Sequence, residues 1–446
     1  MKAQDISLRM HKSLPQSRAM MPQNQVADSS VFISLPSAVF HIGNSGFSYN
    51  DLVQSDGDSA FLDFESMIDG LGKNNFINAS AALNFISLGK RWDRFQLSLN
   101  HAQKLKLYFR YTDEMARFIW YGNSRFIGQT VNLAPDFEAL NYFETALNTS
   151  YKFDRLNIGF SLKYLNGQAV IYGNGNALNF TTDANTFNLN LNADFQVNTH
   201  HDSAIAKIRM FPNKWGANPG WGVDLGASFD VTSKWQISVS LIDIGRIYWN
   251  DEPKTYSLNQ SISFEGLDLS SYLLGDSFNI QKFQDSLAQF TDLKENQDPF
   301  QTNLIPRMYL ASSYQLNEQW NIGAIVQMQA INWKNPHTVV SLSAVRNLGF
   351  KQHFFEPGIH YTYRNRSPFG LGLSMLYEWK NLQVYVGGDN VFSWFLPKAK
   401  VPLSLFDKRN EDAIIIPKSL KTLNGRFGIN LLLNSRNKSR RAAIVK

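Results

Sequence analysis

Eleven residues, Phe187-Asn188-Leu189-Asn190-Leu191-Asn192-Ala193-Asp194-Phe195-Gln196-Val197, alternate apolar and polar side chains without a break. Successive side chains of a strand point to opposite faces, so this stretch reads as a strand with one apolar and one strongly polar face. An amphipathic helix would need apolar residues every three or four positions, and they do not recur that way. Two settings satisfy such a strand: a soluble sheet with one wet face, or a barrel wall with lipid outside and water inside. A length of about eleven residues suits a tilted strand that crosses a bilayer.

The same period returns along the chain. Ile77, Ala79, Ala81, Leu83 and Phe85 alternate with Asn78, Ser80, Ala82 and Asn84. Ile158, Phe160, Leu162 and Tyr164 alternate with Asn157, Gly159, Ser161 and Lys163. Val223, Leu225, Ala227, Phe229 and Val231 alternate with Asp224, Gly226, Ser228 and Asp230, and the last strand puts Phe427, Ile429, Leu431 and Leu433 on one face. A soluble sandwich buries such apolar faces against each other, whereas a barrel shows them to lipid; the alternation permits both.

Turn chemistry favours the barrel. Several very short connections carry a tryptophan at the strand end: Trp92, Trp235, Trp320 and Trp379, each beside charged or polar turn residues. A ring that is half apolar and half wet belongs at a membrane–water interface. Other connections are long: 112–141, 198–221, 249–305 and 392–420. Short turns on one side and long loops on the other are the bacterial outer-membrane arrangement. Parity along the chain holds if Ala177–Thr182 is a brief strand. The expected fold is therefore all-β, a transmembrane antiparallel β-barrel of about 14 strands (range roughly 14–16), with long extracellular loops and a short loop helix. A soluble all-β sandwich is the runner-up.

Composition agrees with this. Aromatic residues make up 13% of the chain, with 33 Phe, 17 Tyr and 10 Trp, yet no run of about twenty apolar residues offers a spanning helix. Cysteine is absent, which removes thiolate metal sites, cysteine nucleophiles and disulfides. Much of the net charge of +6 sits in the tail Arg436, Lys438, Arg440, Arg441 and Lys446, which reads as a solvated terminus. Basic residues elsewhere are scattered among turns, so nucleic acid is not an expected partner.

Residues 1–75 read as an N-terminal segment, polar and irregular over 1–30, that plugs the lumen or sits as a hatch at its periplasmic mouth; a loosely ordered terminus is the bland alternative. Residues 31–53 suggest a short hairpin and Phe61–Leu71 a short helix. Residues 76–434 read as the barrel and 435–446 as a basic tail. Inside the long insertion 249–305, Ile280, Phe283, Leu287 and Phe290 fall at helical spacing, a helix that covers the barrel mouth or docks a partner. Lys2-Ala3 before Gln4 is what the end of a signal sequence looks like, and its removal on export is the expectation.

Little in the sequence suggests chemistry. His200-His201-Asp202 lacks a second cluster and reads as a solvated loop rather than a metal site. Gly173-Asn174-Gly175-Asn176 is turn chemistry, not a phosphate loop. No catalytic, cofactor-binding or metal residues are expected. The candidate lumen-lining residues are Lys163, Asn188, Asn190, Asn192, Asp194, Asp224, Asp230, Gln327 and Gln329, from their place on the polar face of each strand.

The segments Ser13-Leu14-Pro15-Gln16-Ser17, Ile33-Ser34-Leu35-Pro36, Asn44-Ser45-Gly46-Phe47, Leu162-Lys163-Tyr164-Leu165-Asn166-Gly167, Phe264-Glu265-Gly266-Leu267-Asp268-Leu269 and Leu304-Ile305-Pro306-Arg307-Met308-Tyr309-Leu310 carry a resemblance. In them the chain resembles a large outer-membrane barrel family of Bacteroidota. That family is related in architecture to FadL-type fatty-acid channels and to the PorV and PorP/SprF-type proteins of secretion and gliding systems. Met20-Met21-Pro22 departs from the small residue or Pro-Ala usual in that family. The resemblance implies the outer membrane of a Gram-negative bacterium, lipid contact and an exported precursor. It implies one of two functions, neither enzymatic. One is a passive channel for a hydrophobic or small compound; the other is an accessory or scaffold subunit that binds protein partners in an outer-membrane assembly.

Overall fold

The computed structural model describes residues 11, 13–26, 31–264 apart from short gaps (49–50, 52, 57–58, 174–175, 201–204 and 206), 294–329, 337–350, 353–364, 367–390, 398–402, 413–417 and 421–433. Fourteen strands form its wall. β1 occupies 31–44 in two halves, Val31–Ser34 and Ser37–Asn44. The next are β2 (Asn74–Trp92), β3 (Phe95–Thr112), β4 (Asp136–Phe153), β5 (Leu156–Gly173), β6 (Pro219–Asp230) and β7 (Trp235–Trp249). The remainder are β8 (Arg307–Gln315), β9 (Trp320–Gln329), β10 (His337–Arg346), β11 (His353–Arg364), β12 (Ser367–Trp379), β13 (Leu382–Gly388) and β14 (Thr422–Leu433). Each pairs antiparallel with its neighbour in chain order, and β14 returns to β1, so the sheet closes and has no free edge.

The wall begins at Val31 rather than at residue 76. Val31 pairs with both Lys90 and Leu433, so 31–44 is the closing strand and not a hairpin of its own. Its break falls at Leu35-Pro36, because proline has no N–H to give to either neighbouring ladder. The helix read over Phe61–Leu71 is shorter: α1 spans Phe64–Asp69, with the Asp63 carboxylate accepting from the Ser66 N–H at 2.9 Å. The Ser66 hydroxyl and N–H hold that carboxyl below its usual range. Phe61 and Leu62, which that reading included, belong instead to Ser59–Leu62, which pairs with Val53–Asp56. A second helix, α2 (Asp113–Tyr121), is capped by Thr112 and lies in the long connection 112–141.

Within each wall strand one face is exposed and apolar. Leu99, Leu147, Leu162, Leu225, Val239, Leu310, Ile322, Leu342, Ile359, Leu373 and Phe427 all point outward and are exposed. The opposite face is polar and buried in the barrel. Such an inverted surface, apolar outside and polar inside, is stable only where lipid replaces water.

Five strand lanes continue above the rim at the long-loop end. Thr130–Asn132 extends β4, Ala177–Thr182 extends β5, and Lys254–Phe264 extends β7. Lys294–Asn296 and Phe300–Asn303 extend β8. Leu189–His200, the alternating stretch that opened the sequence reading, stands in the same lane as β6 but above it. It pairs with Val170–Tyr172 at its lower end, with Ala177–Thr182 above, and with Lys254–Phe264 along its other edge. It starts two residues later than its alternation suggested, because Phe187 has φ 59° and closes the turn before it. The stretch therefore belongs to a raised section of wall, where a sheet with one wet face shows the same alternation as a membrane strand. The helical spacing of Ile280, Phe283, Leu287 and Phe290, and the tail 435–446, lie outside the described residues.

Candidate functional site: a plugged lumen

Residues 11 and 13–26 lie inside the barrel at the short-turn end and fill its lower lumen. Four apolar side chains anchor them in three wall pockets. Leu14 packs with Leu376 and Tyr385, Met20 and Met21 with Ile242, Tyr309, Ala311, Ile325 and Val339, and Val26 with Phe32 and Leu432. Each such burial is worth about 1.5–3 kcal/mol. Pro15 opens a 3-10 turn over Pro15–Ala19 that places Gln16 against β14 and Arg18 against β3.

Hydrogen bonds tie this plug to the wall all round. Gln16 and Asn430 exchange amide bonds at 2.7 and 3.1 Å. The Ser240 hydroxyl donates to the Met20 carbonyl at 2.6 Å, and Gln23 donates to the Ala227 carbonyl at 3.2 Å. Gln25 donates to the Arg94 carbonyl at 2.7 Å, and the Val26 N–H donates to Gln96 at 2.8 Å. Two glycines make the fit possible: a Cβ at Gly159 or Gly226 would collide with Pro22 and Gln23. His11 lies between Glu356 (2.8 Å) and the Ser374 hydroxyl (2.8 Å), and His360 reaches the same hydroxyl at 2.7 Å. A hydroxyl, an imidazole and a carboxylate in series resemble a nucleophile with its base. Here, however, the hydroxyl is held between two imidazoles, is buried, and does not line the cavity, so the row serves as a latch between plug and wall.

Above the plug lies a cavity of about 110 Å³. Its wall holds Arg18, Lys104, Lys106, Lys163, Arg307 and Arg426 against Glu144, Asp224 and Asp243. The acids converge on Lys163. Its ammonium is 2.7 Å from Asp224, 2.7 Å from Asp243 and 3.7 Å from Glu144. Lys104 reaches Glu144 at 2.6 Å, and Arg307 reaches Asp243 at 2.5 Å. Three cations thus match three carboxylates. Arg18, Lys106 and Arg426 add three further cationic side chains to the cavity lining. Arg18 gives one N–H to Ser98 at 2.6 Å, while its Nε and second terminal nitrogen have no hydrogen-bond partner among the described residues.

Of the lumen residues read from sequence, Lys163, Asp224, Gln327 and Gln329 are buried inside the wall, and Asp230 sits at its short-turn end, 3.1 Å from Lys152. Asn188, Asn190, Asn192 and Asp194 do not join them. They lie on the raised section above the ring, with Asn192 and Asp194 exposed, for the lane reason given above. Glu144, Asp243 and Arg307 were missed. Asp243 sits in a bulge opposite Asp224, at φ 60°, so the parity of β7 flips there and an aspartate inside an apolar run turns inward. The run Leu241-Ile242-Asp243-Ile244 carried that signal. Trp92, Trp235 and Trp379 are exposed at the short-turn rim and Trp320 is half-buried there. Lys90, Arg346 and Lys380 lie over the Trp92, Trp320 and Trp379 rings at 4.9, 5.5 and 5.0 Å, the pairing of ring and cation expected at a wet interface.

Toward the long-loop end Leu140, Leu165, Val170, Ile247, Trp249 and Leu304 belong to a buried apolar cluster against β4, β5 and β7. Trp249 lies over Gly167, where a Cβ would come within 2.6 Å of the indole, and its Nε1 donates to Thr302 at 3.0 Å. Gly167→Ala is expected to displace the ring and cost about 1–3 kcal/mol by overpacking, read as an earlier thermal loss of the folded band on unboiled gels.

Solved structures similar to the chain include the toluene transporter TbuX of Ralstonia pickettii, at 12% identity and TM-score 0.41 over 94% of each chain. A FadL homologue of Pseudomonas aeruginosa matches at 11% and 0.43, over 96% of this chain and 98% of that one. The toluene transporter TodX of Pseudomonas putida matches at 9% and 0.42, over 97% and 95%. No curated protein sequence matches the chain. Residues 22–389 match a family of unknown function, DUF5723, and the chain belongs to that family.

Proposed function

We propose that the protein is an outer-membrane β-barrel acting as a passive channel, closed at rest by residues 11 and 13–26, for a small polar compound that is favoured when it carries negative charge. The short turns then face the periplasm and the raised wall faces outward. The supporting observation is the lumen itself. Its cavity is lined by six cationic and three anionic side chains, and the plug that closes it is held by replaceable hydrogen bonds and four apolar anchors. Of the two ligand classes that the sequence left open, a charged inner wall favours the small polar solute over the hydrophobic one, because an apolar molecule gains nothing from displacing water there. Proteoliposomes carrying the full chain with the plug displaced by Gly159→Val test this with glucose, gluconate and glucosamine, three solutes of one size and different charge. Gluconate is expected to enter fastest. Equal entry of all three removes the charge preference, and no entry of any removes the channel.

A second reading, a non-catalytic scaffold in an outer-membrane assembly, draws on the same plug, since a scaffold has no need of an open lumen. The raised lanes over Leu189–His200 and Lys254–Phe264 would be its contact surface. Stoichiometric partners in a mild-detergent pull-down from native membranes, together with absent solute entry, would favour it.

A further inference from the structure

The outer wall has a polar notch. His101 and Gln103 on β3 and Asn141 and Thr145 on β4 point outward, in register with the lipid-type residues Leu99 and Leu147. In hydrocarbon these groups would need partners. They have them, in a segment that folds down the outside of the barrel. Gln103 donates to the Lys207 carbonyl at 2.8 Å and accepts from the Arg209 N–H at 2.8 Å. Asn141 donates to the carbonyls of Ile205 and Lys207 at 3.0 and 3.1 Å, and His101 contacts the Met210 carbonyl at 3.1 Å. Trp215 stacks on Tyr164 with 6.5 Å between ring centres, and Phe211 on His101 at 5.7 Å.

While its backbone satisfies the notch, the segment turns apolar side chains outward. Ile208, Met210, Phe211 and Trp215 are 69, 54, 56 and 57% exposed. Below them the exposed apolar band of β5 runs only from Leu156 to Leu162. Six residue steps rise roughly 20 Å along a strand, or about 15 Å along the axis at a tilt near 40°, against an apolar band of about 25 Å. The segment sits where the band is short, and its Lys207 and Arg209 can reach toward headgroups.

We propose that residues 207–215 form an interfacial strap that inserts Ile208, Met210, Phe211 and Trp215 into the membrane on the long-loop side and completes the apolar belt over β3–β5. This rests on the transmembrane reading above. Because the chain has no cysteine, single Ile208→Cys and Met210→Cys variants of the full chain can carry a nitroxide, with Leu225→Cys as the belt control and Asn185→Cys as the water control. In reconstituted vesicles the strap labels are expected to match Leu225→Cys, with an oxygen-to-nickel accessibility ratio several-fold above that of Asn185→Cys. Strap labels that match Asn185→Cys, while Leu225→Cys stays lipid-exposed, overturn the strap and leave the barrel in the membrane. Strap labels shielded from both oxygen and nickel overturn it in favour of a protein contact. A nickel-accessible Leu225→Cys label would instead defeat the transmembrane reading. Two strap positions guard against one variant misfolding, and folding is checked by heat-modifiable migration.

Discussion

Full-length protein carrying Gly159→Val and Gly226→Val is expected to conduct in planar bilayers at roughly ten times the wild-type level or more, since an unplugged barrel of this strand number encloses a polar lumen. The two glycines lie on adjacent strands, β5 and β6, and are direct partners in the ladder. A Cβ at Gly159 would run into the plug backbone at Pro22-Gln23, and one at Gly226 into the Gln23 and Pro22 side chains. Valine suits a strand, so the wall should tolerate what the plug does not. The pocket for Met20 and Met21 is next along the plug, so eviction at Gln23 should loosen those anchors as well. Trypsin cleavage after Arg18, silent in the wild type because that residue is buried, reports eviction independently of conductance. Cleavage without conductance would show that the apolar cluster around Trp249 is the real closure, and the plug would lose its gating role.

Lys163→Met is expected to be among the most destabilising single changes in the wall. It removes the one ammonium that faces Asp224, Asp243 and Glu144 together and leaves three carboxylates in a buried site. Breaking a buried ion pair from one side typically costs about 3–5 kcal/mol. Lys104 and Arg307 still hold Glu144 and Asp243, so Asp224 is the carboxylate left without a cation. The double variant Lys163→Met, Asp224→Asn should therefore recover a large part of the loss, about 1–3 kcal/mol of coupling. Urea unfolding in detergent measures all three variants. A double variant no more stable than the single one would mean that Lys163 contributes by packing alone.

Much of the fold was legible. Alternation at period 2, tryptophans beside short turns and the sequence of long and short connections pointed to a closed antiparallel sheet of fourteen strands, and the ring has that number. The membership of the ring was harder to read. The strand 31–44 was hidden by Leu35-Pro36, while Leu189–His200 looked like wall but stands above it. The two errors have one cause: periodicity reports which way side chains point, not at what height a strand sits in its lane. The candidate site was legible only in part. Lys163 and Asp224 reach the cavity by strand parity, whereas Asp243 reaches it through a bulge that parity does not register.

The sequence by itself determined the two-faced character of every strand and the ends at which turns are short, because both depend on local spacing and on residues a few positions apart. Only the tertiary structure decided what fills the barrel and what covers its outside. Residues 11 and 13–26 meet their partners more than sixty positions away, at Gln96, Ser240, Glu356 and Asn430. Segment 207–215 likewise meets His101, Gln103 and Asn141. Those irregular segments have no period to read. Their backbone groups find partners only once the wall has closed and brought its glycines and polar side chains to them.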